Sequence, residues 1–264
     1  MPSVNGLAAA LWAESLKARR SRMPWLTALG FSLAPLVGGL FMMILKDPEW
    51  ARRFGLISTK AQLAAGSADW PTYFGLVTQA VAVGGFVLFG LIAIWVFGRE
   101  YGDRTVTDLL ALPASRETIV VAKFVVIASW AAILTMLVYA LALVLGATIG
   151  LPGWSTALAA DAGGRIAVTA SLNIALVVPL ALAASAGRGY LPPIGAMFLA
   201  IFMAQVIAAL GWGAYFPWSV PALFSGAAGP ELRRLGTSSY LLVVLTGIAG
   251  VVGTLAWWRY ADQT

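Results

Sequence analysis

Charge is absent from long stretches of this chain. No Asp, Glu, Lys or Arg occurs in 23–45, 70–98, 124–160, 166–187, 189–230 or 235–258. A bilayer's hydrocarbon core is about 30 Å thick, and a helix rising 1.5 Å per residue crosses it with ~20 mostly apolar residues. Each interval is long enough to do so. The pattern therefore predicts an all-α membrane protein, residues 1–264 forming one transmembrane domain with spans at 24–45, 73–97, 119–145, 166–186, 191–212 and 240–258.

Proline and glycine punctuate these runs. Pro24 suits a first helical turn, and Pro35, Gly38 and Gly39 predict a bend or a close helix contact midway along the first span. Gly75, Gly84, Gly85 and Gly90 give the second span a small-residue face. The polar stretch 46–71 reads as a short amphipathic piece plus loop. The third span ends before Gly150-Leu-Pro-Gly153, and a loop holding Trp154 and Asp161 runs from there to Arg165. A tight turn from Gly187 to Pro193 joins the fourth and fifth spans. The segment 213–239 contains Pro217 and Pro221, and its apolar part is too short to cross. It is extracytoplasmic, interfacial or re-entrant, and if it enters hydrocarbon it must be covered by protein. Residues 5–22 are rich in Ala, Leu, Glu, Lys and Arg and form either an interfacial helix or a solvated basic tail. We favour the helix, with Leu7, Ala8, Leu11 and Trp12 as its apolar face and Arg19, Arg20 and Arg22 at the headgroups.

Composition sharpens this picture. The chain is 60% hydrophobic and 11% charged, well below the quarter usual for soluble domains. Its mean hydropathy is +0.87. A net charge of +6 would suggest a nucleic-acid partner in a soluble protein. Here the cations sit at span ends, so lipid headgroups account for them and no nucleic acid is expected. Trp25, Trp70, Trp95, Trp154, Trp212, Trp257 and Trp258 mark span ends as an aromatic belt does. Six spans put both termini on one side. That side carries ten of the 17 Lys and Arg residues, four of them before the first span, so both termini are read as cytoplasmic. No short apolar stretch with a small-residue cleavage site opens the sequence, and no cleaved leader is expected. The absence of Cys and His removes disulfides, thiolate and Ser-His catalysis, and most zinc or haem sites.

The region Arg99–Lys123 holds eight of the 28 charged residues in 25 positions. Thr105-Val-Thr-Asp108 fits a capping box, which predicts a helix at 106–112, roughly 10 Å long. Val106, Leu109 and Leu110 share its apolar face, and Leu112-Pro113 stops it. Ser115 is then placed to cap the third span. A polar hairpin has no use for an apolar face, whereas a docking element does.

From Phe97 to Arg116, FGREYGDRTVTDLLALPASR, followed by Lys123, the chain resembles ABC-2-type transporter permeases. Their pattern E-x-x-x-G-T-x-x-x-L-L-x-L-P-x-x-R is matched at Glu100, Thr105, Leu109, Leu110, Leu112, Pro113 and Arg116, while Arg104 stands where that pattern has Gly. The segment AESLKARRSR before the first span resembles the family's elbow helix. With six spans, the chain is most similar to the small bacitracin-exporter-like six-helix permeases. The resemblance implies a multi-pass protein of the bacterial inner membrane that works as a homodimer. It also implies a short cytoplasmic coupling helix, 106–112 in the loop 99–118, that docks on a separate ABC ATPase. The docking residues would be Glu100, Arg104, Thr105, Val106, Asp108, Leu109, Leu110, Leu112, Pro113 and Arg116. ATP and Mg would reside on that partner. This chain has no G-x-x-x-x-G-K-[ST] and no Gly-Lys dipeptide, so no cofactor is expected in it.

The substrate path has as candidates only amides in apolar sequence, Gln79, Asn173 and Gln205, and for any one of them we favour the alternative role of interhelical glue. Apart from Lys123 near the start of the third span, the spans contain no Asp, Glu, Lys or Arg, which argues against a proton- or sodium-coupled carrier and for apolar or amphipathic cargo such as a drug or peptide in efflux. Two other readings compete. A membrane enzyme would draw on Arg99, Glu100, Asp103 and Asp108, and a structural or sensory subunit would move no cargo.

Overall fold

The structure, a computed structural model, describes residues 4–53, 55, 67–103, 115–228 and 235–260. The helix expected at 106–112, with Arg104, Thr105, Val106, Asp108, Leu109, Leu110, Leu112 and Pro113, lies outside the described residues. The helices are α1 (Val4–Arg20), α2 (Met23–Lys46), α3 (Pro48–Arg53), α4 (Trp70–Gly102), α5 (Arg116–Ile149), α6 (Thr156–Ala186), α7 (Leu191–Ala209), α8 (Val220–Ser225) and α9 (Thr237–Tyr260). Six of them, α2, α4, α5, α6, α7 and α9, are long and apolar enough to cross a membrane. No strand occurs among the described residues.

Three helices outrun the apolar intervals. α4, α5 and α6 have 33, 34 and 31 residues. At 1.5 Å per residue they measure about 46–51 Å, so they stand ~15–20 Å proud of a 30 Å hydrocarbon core. Asp69 caps α4 by accepting from the Thr72 amide, and Ser115 accepts from the Thr118 amide at the start of α5, where the sequence placed a cap. Gly150, left-handed at φ 67°, ends α5. The loop expected up to Arg165 is instead helix from Thr156. Ser155 caps it through the Leu158 amide, and the alanines of TALAADAGG sustain it despite two glycines.

The core is built on α4, packed along α6, with α9 covering another face of α6. Asn173 on α6 donates its amide to the carbonyls of Val81 (2.9 Å) and Ala82 (3.2 Å) on α4, beside Gly85. Gly247, Gly250 and Gly253 of α9 lie against Ala175, Pro179 and Leu182 of α6. Pro179 has no N–H to continue the ladder, and glycine lets α9 approach the break closely. The contact expected of Pro35 and Gly38 is present: Tyr73 donates to the Pro35 carbonyl at 2.9 Å with its ring against Gly38. The glycine face expected on α4 is only half used. Gly85 and Gly90 pack closely, whereas Gly75 and Gly84 have open space beside them.

The stretch after α7 folds back onto the bundle through single turns at Gly213–Tyr215 and Pro217–Ser219 and then α8. Ser219 donates to the Ala204 carbonyl at 3.0 Å, and Trp218 to that of Leu176 at 3.3 Å. The helix ends of the bundle are also tied. Lys46 donates to the last carbonyls of α5, at Ile149 (2.6 Å) and Gly150 (3.3 Å). At the other end Arg116 donates to the Trp258 carbonyl (3.1 Å), and Arg259 pairs with Glu117 (3.3 Å). So α1, the end of α4, the start of α5 and the end of α9 gather at one end of the bundle.

A methyl at Gly250 would lie 2.8 Å from the Pro179 backbone nitrogen, which cannot yield, whereas a methyl at Gly84 meets nothing within 4 Å. Gly250→Ala is expected to destabilise the protein by about 1–3 kcal/mol. Gly84→Ala is expected to be neutral or to stabilise by up to about 1 kcal/mol through helix propensity. Thermal unfolding of the two variants in detergent reads the difference in sign.

Candidate functional site: a buried ion cluster

Four ionisable side chains from three helices meet where α4 ends and α5 begins. The sequence AESLK puts Glu14 and Lys17 one turn apart on α1. α4 continues past its apolar run through Gly98-Arg-Glu100, and α5, started by the Ser115 cap, carries Lys123 two turns in. The Lys123 ammonium donates to Glu14 Oε2 (3.0 Å), Glu100 Oε1 (2.9 Å) and the Val96 carbonyl (2.9 Å). Those three bonds use all three of its protons. Lys17 donates to Glu14 Oε1 at 2.7 Å and to Glu100 Oε1 at 3.0 Å.

The set is neutral, two carboxylates to two ammonium groups, and nearly dry. Lys123 is 0%, Glu100 2% and Glu14 5% exposed. Burial of this depth is tolerable for charge only with full pairing and hydrogen bonding. Partial burial alone would pull the Lys17 pKa down. The hydrogen bond and charge of Glu14, with the charge of Glu100, outweigh it and leave the pKa raised. A raised lysine pKa means that its stabilisation is complete below the ordinary lysine range and is lost only as pH rises through the raised value. Lys17 is therefore charged at neutral pH. Phe97 lies under Lys123, its ring centroid 5.8 Å from the nitrogen, and packs on Phe124 and Trp258.

This arrangement alters the reading of several residues. The face of α1 turned to the bundle is Leu11, Glu14 and Ala18, while Ala8 and Trp12 of the expected apolar face are exposed. Lys17, expected off that face, reaches inward. Glu100 is not presented to an outside partner, because both lysines hold its carboxylate inside. Arg116 is exposed and reaches the end of α9. The residues of the enzyme reading do not converge: Arg99 lies over the Trp95 ring at 4.7 Å, Glu100 is in the cluster, and Asp103 is exposed. Asp108 is outside the described residues. Of the three amides, Asn173 is occupied by α4, Gln79 is half-buried and Gln205 is exposed on α7. Among the described residues no hydrogen bond joins them. The cluster escaped sequence reading because positions 14, 100 and 123 meet only in the fold. The available signal was that each sits within two helical turns of an apolar run.

Mechanically, the cluster can do one thing well. It clamps together α1, the end of α4 and the start of α5, the two helices that flank 104–114 in the sequence. Residues 10–205 match the family described as ABC-2 family transporter protein, a stretch that includes all four cluster residues. The chain is also 27% identical over 179 residues to the bacitracin transport permease protein BCRB of Bacillus licheniformis, covering 67% of this chain and 85% of that protein.

Lys123→Met leaves two buried carboxylates with one half-exposed cation between them. It is expected to cost about 3–5 kcal/mol, the range for breaking a buried ion pair. Lys17→Met, at a side chain 29% exposed, should cost clearly less. Unfolding midpoints of the two variants in the same detergent check the order.

Proposed function

The chain belongs to the ABC-2 family of transporter proteins, and we propose that it is the membrane-spanning subunit of an ATP-driven exporter in the bacterial inner membrane, working with a separate ATPase. Two copies form the substrate pathway, and each docks an ATPase through 106–112. ATP and Mg belong to that partner, since this chain carries no Walker A sequence. The α1 end of the bundle is the cytoplasmic end, and α1 is the elbow lying in the interface, with exposed Trp12 among lipids and headgroups. Cargo is apolar or amphipathic, and a relative named for bacitracin transport supports a peptide- or drug-like compound.

The observation that carries this reading is the position of the buried cluster. Glu100 is on the last turn of α4 and Lys123 is on the second turn of α5, so the two helices flanking 104–114 are bolted together and to α1. A force applied to a helix at 106–112 is then delivered to two spanning helices and the elbow at once rather than lost in a hinge. Leu109 and Leu110 form the apolar contact with the ATPase. Arg104, Asp108 and Arg116 are its polar rim, and Glu100 acts from inside as a positioning residue.

Co-expression with the partner ATPase tests the reading. Leu109→Asp with Leu110→Asp places two charges in an apolar contact, and the complex should weaken by more than about ten-fold. Stimulated ATP hydrolysis and transport in vesicles should fall with it, while membrane insertion is unchanged. Normal transport by the double variant would exclude 106–112 as the coupling element.

A further inference from the structure

Beside the ion cluster, on its lipid side, α1, α2 and α5 enclose a groove of about 490 Å³. Its floor is apolar, formed by Leu11, Ala28, Val126, Trp130 and Leu134, and Arg19 lines it at the α1 end. Three features define what it holds. First, its wall on α5 runs from Val125 to Leu137. Twelve residues of helix rise about 18 Å, close to the ~15 Å of a single leaflet's hydrocarbon. Second, the mouth is placed at headgroup level by Trp25, 76% exposed on the first turn of α2, and by the neighbouring Arg20 and Arg22. Third, the charge there is uncompensated. Among the described residues, no ion pair involves Arg19, Arg20 or Arg22, and the nearby acids are engaged elsewhere, Glu14 and Glu100 by the two lysines and Glu117 by Arg259.

We propose that this groove is a binding site for one anionic phospholipid, its acyl chain along Val125–Leu137 and its phosphate on Arg19. The leaflet is the cytoplasmic one under the topology given above, though the site itself does not depend on that assignment. Because Leu11 and Ala18, which line the groove, share a face of α1 with Glu14, the lipid braces the helix that completes the ion cluster.

The test uses the full-length protein reconstituted in phosphatidylcholine vesicles with and without phosphatidylglycerol, then extracted, with retained lipid read by native mass spectrometry. Wild type should retain phosphatidylglycerol in preference to phosphatidylcholine. Arg19→Gln, at an exposed side chain that the fold does not need, should lower retained phosphatidylglycerol about five-fold and leave phosphatidylcholine unchanged. Arg19→Lys should keep most of it. Ser129→Phe, which fills the groove, should remove both lipids. Equal retention by Arg19→Gln and wild type would overturn the proposal, as would an equal loss in Arg165→Gln, at the far end of the bundle. It is also overturned if Ser129→Phe turns a dimer into monomers without changing lipid retention, because a second copy then fills the groove.

Discussion

A lysine ammonium with no exposure to solvent must find its entire solvation shell in protein, and in this molecule Lys123 imposes that requirement on everything around it. Three acceptors are needed, and they come from three separate places: Glu14 on α1, Glu100 at the end of α4 and the Val96 carbonyl one turn earlier. Two carboxylates overcompensate one lysine, so Lys17 completes neutrality from the rim. Because each partner would be stranded without the others, α1 cannot lift away and the ends of α4 and α5 cannot separate cheaply. An apolar substitute could hold the helices equally close, but only directional bonds at about 3 Å fix their register.

Away from that end, cohesion has a different source. Hydrocarbon offers no hydrophobic gain for helix association, so close packing of small residues must supply it. The glycines of α9 set against the break at Pro179, and Asn173 tied to two α4 carbonyls, are of this kind. α2 and α5 instead keep large lipid-exposed faces, with Leu29, Leu33, Val37, Ile133 and Met136 outward. The bundle is thus rigid at the ion cluster and at α4–α6–α9, and greasy elsewhere, which suits a protein whose remaining partners are lipid and further polypeptides.

Much of this was legible in the sequence, and the limits have physical causes. Charge-free intervals located all six long helices, since desolvation of charge is a strong, local signal. The Ser115 cap and the Pro35–Gly38 contact also follow from short-range chemistry. Helix ends beyond the hydrocarbon did not: at 156–165, Asp161 and Arg165 read as loop because charge marks the end of the apolar run, not of the helix. The face that α1 turns to the bundle was not legible for a related reason. Leu7, Ala8, Leu11 and Trp12 form its apolar stripe, which lipid can cover, whereas Glu14 needs protein partners such as Lys123. Glu100 likewise sat inside a soluble-looking motif, and only the fold reveals that its carboxylate is turned inward. The motif containing it carried the family resemblance that the match over 10–205 bears out.

The central claim is that the cluster holds α1 and the end of α4 in one fixed relation. A chain without cysteine allows this to be measured directly, with spin labels at Arg20→Cys and Asp103→Cys and pulsed dipolar distances in the reconstituted protein. The labelled protein should give one narrow distance distribution, and adding Glu100→Gln, which removes the charge that both lysines share, should broaden it. An equally narrow distribution in the Glu100→Gln background would show that packing alone holds the two helices and would contradict the account.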